Sequence, residues 1–360
     1  MSENTSTPLT GKNTTSPQSR IRGCLFGGAV GDALGGPVEF WSRNEILNNY
    51  PGGIKGYVDD SDSIRKIGYF TDDTQMTLFT SEAIIRTLQT DEPGNLIDAM
   101  VPQFVTSYLN WFQTQYPFMT KSELEQAGEL VQREELNVPR AAGMTCVSSL
   151  EILKKSRGQG KIGSPENLIN DSKGCGTVMR VAPIGLIPED EQTIFELGCR
   201  ASAITHGHPT GWLSGGALAL LISLLFKGEK LLPAVERVIA CLKTRPRSEE
   251  TVAALEKAVA LYPAPLPDYK AIGEIGQGWI AEEALGIAVL CALRYESNFH
   301  DGVLAAANIT GDSDSTAAVT GNILGAYLGE NAIPPLWISD LFERDVVELV
   351  ANQLCNCIVK

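Results

Sequence analysis

The stretch GDSDST at residues 311–316 opens an apolar run that reaches Leu328, and a similar stretch, TDDT at residues 71–74, opens another. Each places carboxylates and hydroxyls where a loop is expected to become a helix. If the fold brings the two stretches together, four carboxylates converge, and they repel one another unless cations neutralise them. Carboxylate and hydroxyl oxygens suit Mg²⁺, Mn²⁺ or Ca²⁺ rather than Zn²⁺. We therefore predict an oxygen-ligated metal site with two ions.

Helix capping is a simpler interpretation of the same residues. Thr and Asp are favoured N-caps, and an acidic residue in a first helical turn adds about 0.3–1 kcal/mol by opposing the helix dipole. One cap needs one Asp, however, whereas residues 311–316 contain two, and a further Gly-Asp turn stands at residues 31–32. Capping alone is therefore the weaker account, although it stays open at this point.

The composition is that of an ordinary globular chain. The 360 residues are 43% hydrophobic and 20% charged, enough for one large domain or two small ones. The formal net charge is −14 and no run of Lys and Arg exceeds two residues. A nucleic-acid partner is therefore not expected, because such proteins carry a basic patch or stripe.

Cysteine usage and the apolar pattern suggest the compartment. The eight Cys show no C-x-x-C spacing and the chain has three His, which argues against a zinc framework. No N-terminal segment joins a basic start to an apolar core, and no uninterrupted apolar run has the length of a membrane span. We expect a cytoplasmic protein with no membrane partner.

Residues 1–20 are rich in Ser, Thr, Asn and Pro, and this composition predicts a flexible polar tail. The alternative is a tail that folds onto a partner. Residues 21–360 are then a single all-helical domain. The glycines of residues 21–40 recur at near-helical spacing, which allows close approach of another helix. Without a Walker lysine, this segment is not a P-loop.

Helical spacing of apolar residues predicts an all-α fold. We expect helices over residues 72–88 and 95–115, and two helices over 192–226 joined by a turn that contains two of the three His. Residues 41–70 and 155–177 are expected to be irregular. With no βαβ rhythm, the chain is predicted to form a single compact orthogonal bundle of many helices, with loops converging on a metal-binding cleft.

Five short motifs follow one another along the chain: GDALG at residues 31–35, TDDT at 71–74, GCGTVMR at 174–180, TH at 205–206 and GDSDS at 311–315. Together they resemble the ADP-ribosylglycohydrolase family, whose best known bacterial members reverse arginine ADP-ribosylation of dinitrogenase reductase. The resemblance covers residues 21–330. It implies an all-α fold and a cleft for ADP-ribose with two Mg²⁺ or Mn²⁺ ions at its base.

The resemblance also implies roles for individual residues, carried over by motif position. The implied metal ligands are Thr71, Asp72, Asp73, Asp312, Asp314 and Ser315. Ser315 stands where family members often have Thr; it keeps the hydroxyl, and the neighbouring Thr316 is a competing ligand. The implied catalytic carboxylates are Glu39, which helps to activate water, and Asp73. The implied substrate-binding residues are Gly174, Cys175, Gly176 and Thr177 at the phosphates and His206 on the ribose side.

The resulting hypothesis is metal-dependent hydrolysis of the N-glycosidic bond between ADP-ribose and a modified protein side chain, most readily arginine. A second hypothesis is an immunity protein that binds an ADP-ribosylating toxin, through the polar tail, as well as reversing its modification. A third is a metal-binding pseudoenzyme that senses ADP-ribose. The expected partners are thus an ADP-ribosylated protein and, under the second hypothesis, a cognate toxin.

Overall fold

The computed structural model describes residues 15–59, 66–90, 94–116, 128–155 and 162–359. Over these residues the regular structure is helical, with two isolated β-bridges and no strand. The α-helices are α1 (Pro17–Gly35), α2 (Arg43–Asn49), α3 (Asp72–Leu88), α4 (Leu96–Thr114), α5 (Met144–Lys155), α6 (Glu191–Ala203), α7 (Pro209–Phe226), α8 (Leu231–Lys243), α9 (Glu249–Leu261), α10 (Asp268–Ile275), α11 (Ala281–Arg294), α12 (Phe299–Ala307), α13 (Ser313–Leu328), α14 (Pro335–Ser339) and α15 (Arg344–Ile358).

The prediction of an all-α fold is confirmed. The predicted helices over residues 72–88 and 95–115 correspond to α3 and α4, and those over 192–226 to α6 and α7. The expectation that residues 41–70 are irregular throughout was wrong, because α2 lies within them. Its signal is a capping box, in which Ser42 and Glu45 each accept from the other's backbone N–H.

Helices α1 and α13 form the centre of the fold and pack with their backbones in contact. The small residues involved step by four in opposite directions along the two helices, so the helices run antiparallel. A Cβ added at Gly23, Gly27, Gly31 or Gly35 would overlap the carbonyl oxygens of Gly325, Gly321, Ala317 and Ser313, respectively. The predicted close approach at the glycine-rich segment thus has α13 as its partner.

The predicted boundary between tail and domain moves toward the N-terminus. Helix α1 begins at Pro17, capped by the Ser16 side chain, which accepts from the Ser19 amide at 3.1 Å. Arg20 donates to the carbonyl oxygens of Ala326 and Tyr327 at the end of α13, at 2.8 and 2.6 Å. Residues 17–20 therefore form the first turn of α1, and residues 1–14 of the predicted tail lie outside the described residues.

Helix α7 is more apolar than expected from the sequence, in which no uninterrupted apolar run has the length of a membrane span. It has the length and composition of a membrane span, and 89% of it is buried inside the protein. No other helix among the described residues meets the same criterion. Burial on this scale is that of a central helix of a packed core.

Candidate active site

The N-termini of α3 and α13 meet at one end of the bundle. The Thr71 hydroxyl donates to Oδ2 of Asp314 at 3.4 Å, although 243 positions separate the two residues. Carboxylate oxygens of Glu39, Asp312 and Asp314 lie within 4.8 Å of one another. The structure therefore brings together the two acidic stretches singled out in the sequence, and adds Glu39 to them.

Asp32 holds the start of α3 in place through hydrogen bonds, and sequence reasoning did not assign it to the site. Its side chain is fully buried on α1. It accepts from the Thr71 amide at 2.9 Å, from the Thr74 amide at 2.9 Å and from the Thr74 hydroxyl at 2.5 Å. Asp32 thus ties α1 to the start of α3, while its neighbours Gly31 and Gly35 touch α13. The Gly-Asp turn at residues 31–32 was its signal.

The segment from Arg140 to Gly143 is hydrogen-bonded to the start of α3. The Asp72 amide donates to the Arg140 carbonyl oxygen at 3.0 Å, and the Gly143 amide donates to Oδ2 of Asp72 at 3.4 Å. The buried Arg140 guanidinium donates to the Phe70 carbonyl oxygen at 2.8 Å and pairs with Glu343. Both the backbone and the carboxylate of Asp72 are thus held in place.

A cavity of about 360 Å³ opens above the acidic cluster. Of the residues predicted for the site, those that line it are Glu39, Asp72, Asp73, Gly174, Cys175, Gly176, His206, Asp312, Asp314 and Ser315. Thr71 is not among the lining residues but contacts Asp314 as described. Thr177 does not line the cavity either, because its hydroxyl turns toward the Gly174 carbonyl oxygen at 3.5 Å and it is fully buried.

Capping explains only part of this arrangement. Thr71 accepts from the Asp73 amide at 3.3 Å, and Asp312 accepts from the Ser315 amide at 3.3 Å, so each helix has one capping side chain. Neither cap uses Asp72, nor the second carboxylate oxygens of Asp73 and Asp312, which are buried without a hydrogen-bond partner. The remaining carboxylates need another explanation.

The electrostatics of the cluster favour a bound cation. Burial, followed by repulsion from Asp314, raises the pKa values of Asp72, Asp73 and Asp312 well above the usual range. The same two causes, in the same order, raise the pKa of Glu39 to about 11. Hard divalent cations bind carboxylate and hydroxyl oxygens of this kind. The donor set and the two unpartnered oxygens therefore fit Mg²⁺ or Mn²⁺.

The loop at residues 174–176 is held against His206. A Cβ added at Gly174 would meet Nε2 of His206 at 3.2 Å, and one at Gly176 would meet its Cε1 at 2.9 Å. Burial, with a further contribution from Arg180, lowers the pKa of His206 to about 3, so the imidazole is neutral. Its Nδ1 lies 2.8 Å from the Thr205 hydroxyl. If that hydroxyl donates to Nδ1, the imidazole hydrogen is on Nε2, the nitrogen that faces the loop.

Residues 277–279 connect the start of α13 with the loop at residues 174–176. The Asp312 amide donates to the Gln277 carbonyl oxygen at 2.8 Å, and the Cys175 amide donates to the Trp279 carbonyl oxygen at 3.1 Å. Trp279 and Phe40 also line the cavity, and their rings stack with centroids 5.1 Å apart. Sequence reasoning missed both aromatic residues; the position of Phe40 directly after Glu39 was the available signal.

Comparison with known proteins places this geometry in a family. The family model described as ADP-ribosylglycohydrolase matches residues 13–359. The protein named ADP-ribosylarginine hydrolase Tri1 from Serratia proteamaculans is 26% identical over 93% of this chain and 78% of its own. The protein named ADP-ribosylhydrolase ARH3 from Gallus gallus is 23% identical over 94% and 93%. An uncharacterised protein of Archaeoglobus fulgidus is 27% identical over 94% and 96%.

A solved structure described as an ADP-ribosylglycohydrolase-related protein complex shares the fold, with a TM-score of 0.68. It is 22% identical and the match covers 95% of this chain and 99% of that one. The family match over nearly the whole chain confirms the resemblance inferred from the five motifs. With its acidic cluster at the base of an all-helical cleft, this chain belongs to the ADP-ribosylglycohydrolase family.

Proposed function

We propose that this protein hydrolyses the N-glycosidic bond between ADP-ribose and an arginine side chain of a modified protein, with two Mg²⁺ ions as cofactors. The observation that carries the proposal is the meeting of Glu39, Asp312 and Asp314 within 4.8 Å beneath a cavity of about 360 Å³. Membership of the family supports the hydrolysis of an ADP-ribosyl bond. The arginine linkage rests on similarity to the two proteins named ADP-ribosylarginine hydrolase Tri1.

The metal ions would be held by the oxygen donors that the sequence singled out: Thr71, Asp72, Asp73, Asp312, Asp314 and Ser315. Bound there, they supply orientation of the ribose hydroxyls and a polarised water molecule. The cleft carboxylates stabilise the positive charge that develops on the ribose as the glycosidic bond breaks. Glu39 is the general base that takes the proton of the attacking water, and Asp73 is the second proposed catalytic carboxylate.

The loop at residues 174–176 is the proposed site of the two phosphates. Its glycines carry no side chain to block a close approach, and the neutral His206 faces them. The Cys175 amide already donates to the Trp279 carbonyl oxygen and the Gly174 amide to the Ser172 hydroxyl, so the loop contributes its open glycine backbone rather than a row of free N–H groups. Because His206 is neutral, this part of the site binds phosphate by hydrogen bonds rather than by full positive charge.

The experiment that tests the proposal is release of ADP-ribose from an arginine-ADP-ribosylated protein. It is run with Mg²⁺, with a chelator, and with Asp314→Ala. Asp345→Ala is the matched control, since the Asp345 side chain is 92% exposed and lies on α15. We expect release that depends on both Mg²⁺ and Asp314 and that the control retains. No release by the wild-type protein, with ADP-ribose still bound in calorimetry, would overturn the arginine linkage.

The toxin-binding hypothesis and a cytoplasmic location stay predictions. The tail that motivated the first was residues 1–20; of these, residues 1–14 lie outside the described part of the chain, and residues 17–20 lie in α1. A deletion of residues 1–14 leaves the described core intact, so it separates the two roles. Loss of toxin affinity without loss of hydrolysis would support binding through the tail, whereas unchanged affinity would contradict it.

A further inference from the structure

Phe40 is an exposed aromatic residue at the mouth of the acidic cavity. Its side chain is 72% exposed, although it lines the cavity and stacks on Trp279 with an interplanar angle of 20°. The Trp279 indole N–H donates to Oε1 of Gln277 at 3.3 Å. One face of the Phe40 ring is therefore supported and the rest of the ring is open to a ligand.

The backbone holds Phe40 in an unfavourable conformation. Its φ is +68°, in the left-handed region that bulky residues rarely adopt. The flanking residues enforce it: the Trp41 amide donates to the Val38 carbonyl oxygen at 3.1 Å, and the Arg43 amide donates to the Thr310 hydroxyl at 2.9 Å. Strain of this kind concentrates at functional sites. Neither the folding of the core nor the proposed water activation by Glu39 uses this ring.

The surroundings of Phe40 favour a cation. Glu39 precedes it directly, and of the three carboxylates that meet within 4.8 Å, those of Glu39, Asp312 and Asp314, it is the one not assigned to the metal ions. A planar guanidinium combines well with an aromatic face and nearby carboxylates, because it stacks on the ring and keeps its N–H donors free in the plane.

The place of Phe40 along the bound substrate indicates that its ring meets the acceptor guanidinium rather than the adenine. In ADP-ribose, the reacting ribose is separated from the adenine by two phosphates and a second ribose. Phe40 adjoins the carboxylate proposed to act at the reacting carbon, and consecutive Cα atoms are only about 3.8 Å apart. The ring therefore lies near the reacting ribose, the end of the substrate that carries the acceptor, and away from the adenine end.

We propose that Phe40, supported by Trp279, binds the guanidinium of the acceptor arginine and selects arginine over an uncharged acceptor such as serine. This inference rests on the proposed function, because it specifies the acceptor of the same reaction. It assigns Phe40 a role in substrate recognition and no part in the bond cleavage itself.

The test compares Phe40→Leu and Phe40→Trp with the wild-type protein in Mg²⁺. Release of ADP-ribose is measured from an arginine-linked and a serine-linked substrate, and ADP-ribose affinity is measured by calorimetry. Phe40→Leu is expected to raise KM for the arginine-linked substrate roughly tenfold, with kcat and ADP-ribose affinity unchanged. Phe40→Trp, which keeps an aromatic ring at this position, is expected to keep KM close to the wild-type value. Leu336→Ala, which removes an apolar side chain that is 71% exposed on α14, is the control.

Three other outcomes would overturn the inference. An equal loss of ADP-ribose affinity in Phe40→Leu would make the ring an adenine platform and overturn the inference. An unchanged KM in Phe40→Leu, with an active wild-type protein, would overturn the inference and leave the proposed function standing. A wild-type protein that acts on no arginine-linked substrate would overturn both.

Discussion

The carbonyl oxygens of Gly27 and Gly321 each lie where the first side-chain carbon of the other residue would stand. No side chain separates α1 from α13 at this point. Gly321→Ala is therefore expected to force the helices apart and to destabilise the protein by about 1–3 kcal/mol or more, as overpacking does. Urea unfolding checks this. Gly273→Ala on α10 is the control, since a methyl there meets no atom within 4 Å; equal losses in both variants would contradict the interpretation.

Glu39→Gln is expected to separate catalysis from binding. Loss of the general base should lower kcat by about 10²–10⁴-fold, while ADP-ribose affinity changes little. In a chelator at pH 8 the same variant should be more stable than the wild-type protein, because burial and the neighbouring Asp314 make a carboxylate at position 39 unfavourable. Retained hydrolysis would contradict the assigned role.

Removal of divalent cations is expected to make stability fall as pH rises. Burial, followed by repulsion from Asp314, raises the pKa of Asp32 to about 6, and the pKa values of Asp72 and Asp73 are raised as well. The folded state then holds more protons than the unfolded state, whose Asp residues titrate near pH ~3.9. The unfolding free energy therefore falls as pH rises through the folded-state pKa values.

Urea unfolding between pH 5 and pH 8, in a chelator and in Mg²⁺, measures this effect. Cations that bind only the folded state should offset the repulsion and flatten the decline. The same pH dependence under both conditions would contradict a cation at the cluster.

Gly176→Ala is expected to weaken ADP-ribose binding by about 10–100-fold, because a methyl there meets the His206 ring and Sγ of Cys146 and displaces the proposed phosphate loop. Calorimetry with ADP-ribose measures the change. Gly143→Ala, also at the cavity wall, adds a methyl with no atom within 4 Å and should bind normally. Matching losses in the two variants would indicate that any added methyl in the cavity blocks the ligand.

Arg140→Met is expected to destabilise the protein by about 3–5 kcal/mol, since it leaves Glu343 without its buried partner. It should also weaken Mg²⁺ binding, because Arg140 fixes the backbone just before α3. The double variant Arg140→Met/Glu343→Gln should recover part of the stability. Thermal unfolding and calorimetry check both effects. Arg133→Met, which removes a partly exposed ion pair, should cost no more than about 1 kcal/mol.

The helices and the acidic cluster could be predicted from sequence because their signals are local. Residues 71–74 and 311–316 each carry a cap, excess carboxylates and an apolar run, and the two chemistries match. Asp32 was not assigned because a single buried Asp gives no such excess; its role depends on Thr71 and Thr74 being folded around it.

Thr177 was expected at the site because it follows Cys175 and Gly176 in the motif. The 3₁₀ turn over Cys175–Arg180 directs its side chain inward instead. Phe40 and Trp279 lie far apart in sequence, and only the fold shows that their rings stack. Side-chain direction and long-range pairing are the parts that spacing alone does not give.

The contact of α1 with α13 limits how this protein can vary. At the four close contacts between these helices, main-chain atoms set the distance between them. Replacing a side chain by a larger or smaller one therefore cannot adjust that distance. Asp32 lies on α1 and Asp314 on α13, so the main-chain contact between the helices also fixes the distance between these two carboxylates. Changes in specificity are therefore left to the loops at the rim, such as residues 39–42 and 277–279, where a substitution alters what enters without moving the carboxylates.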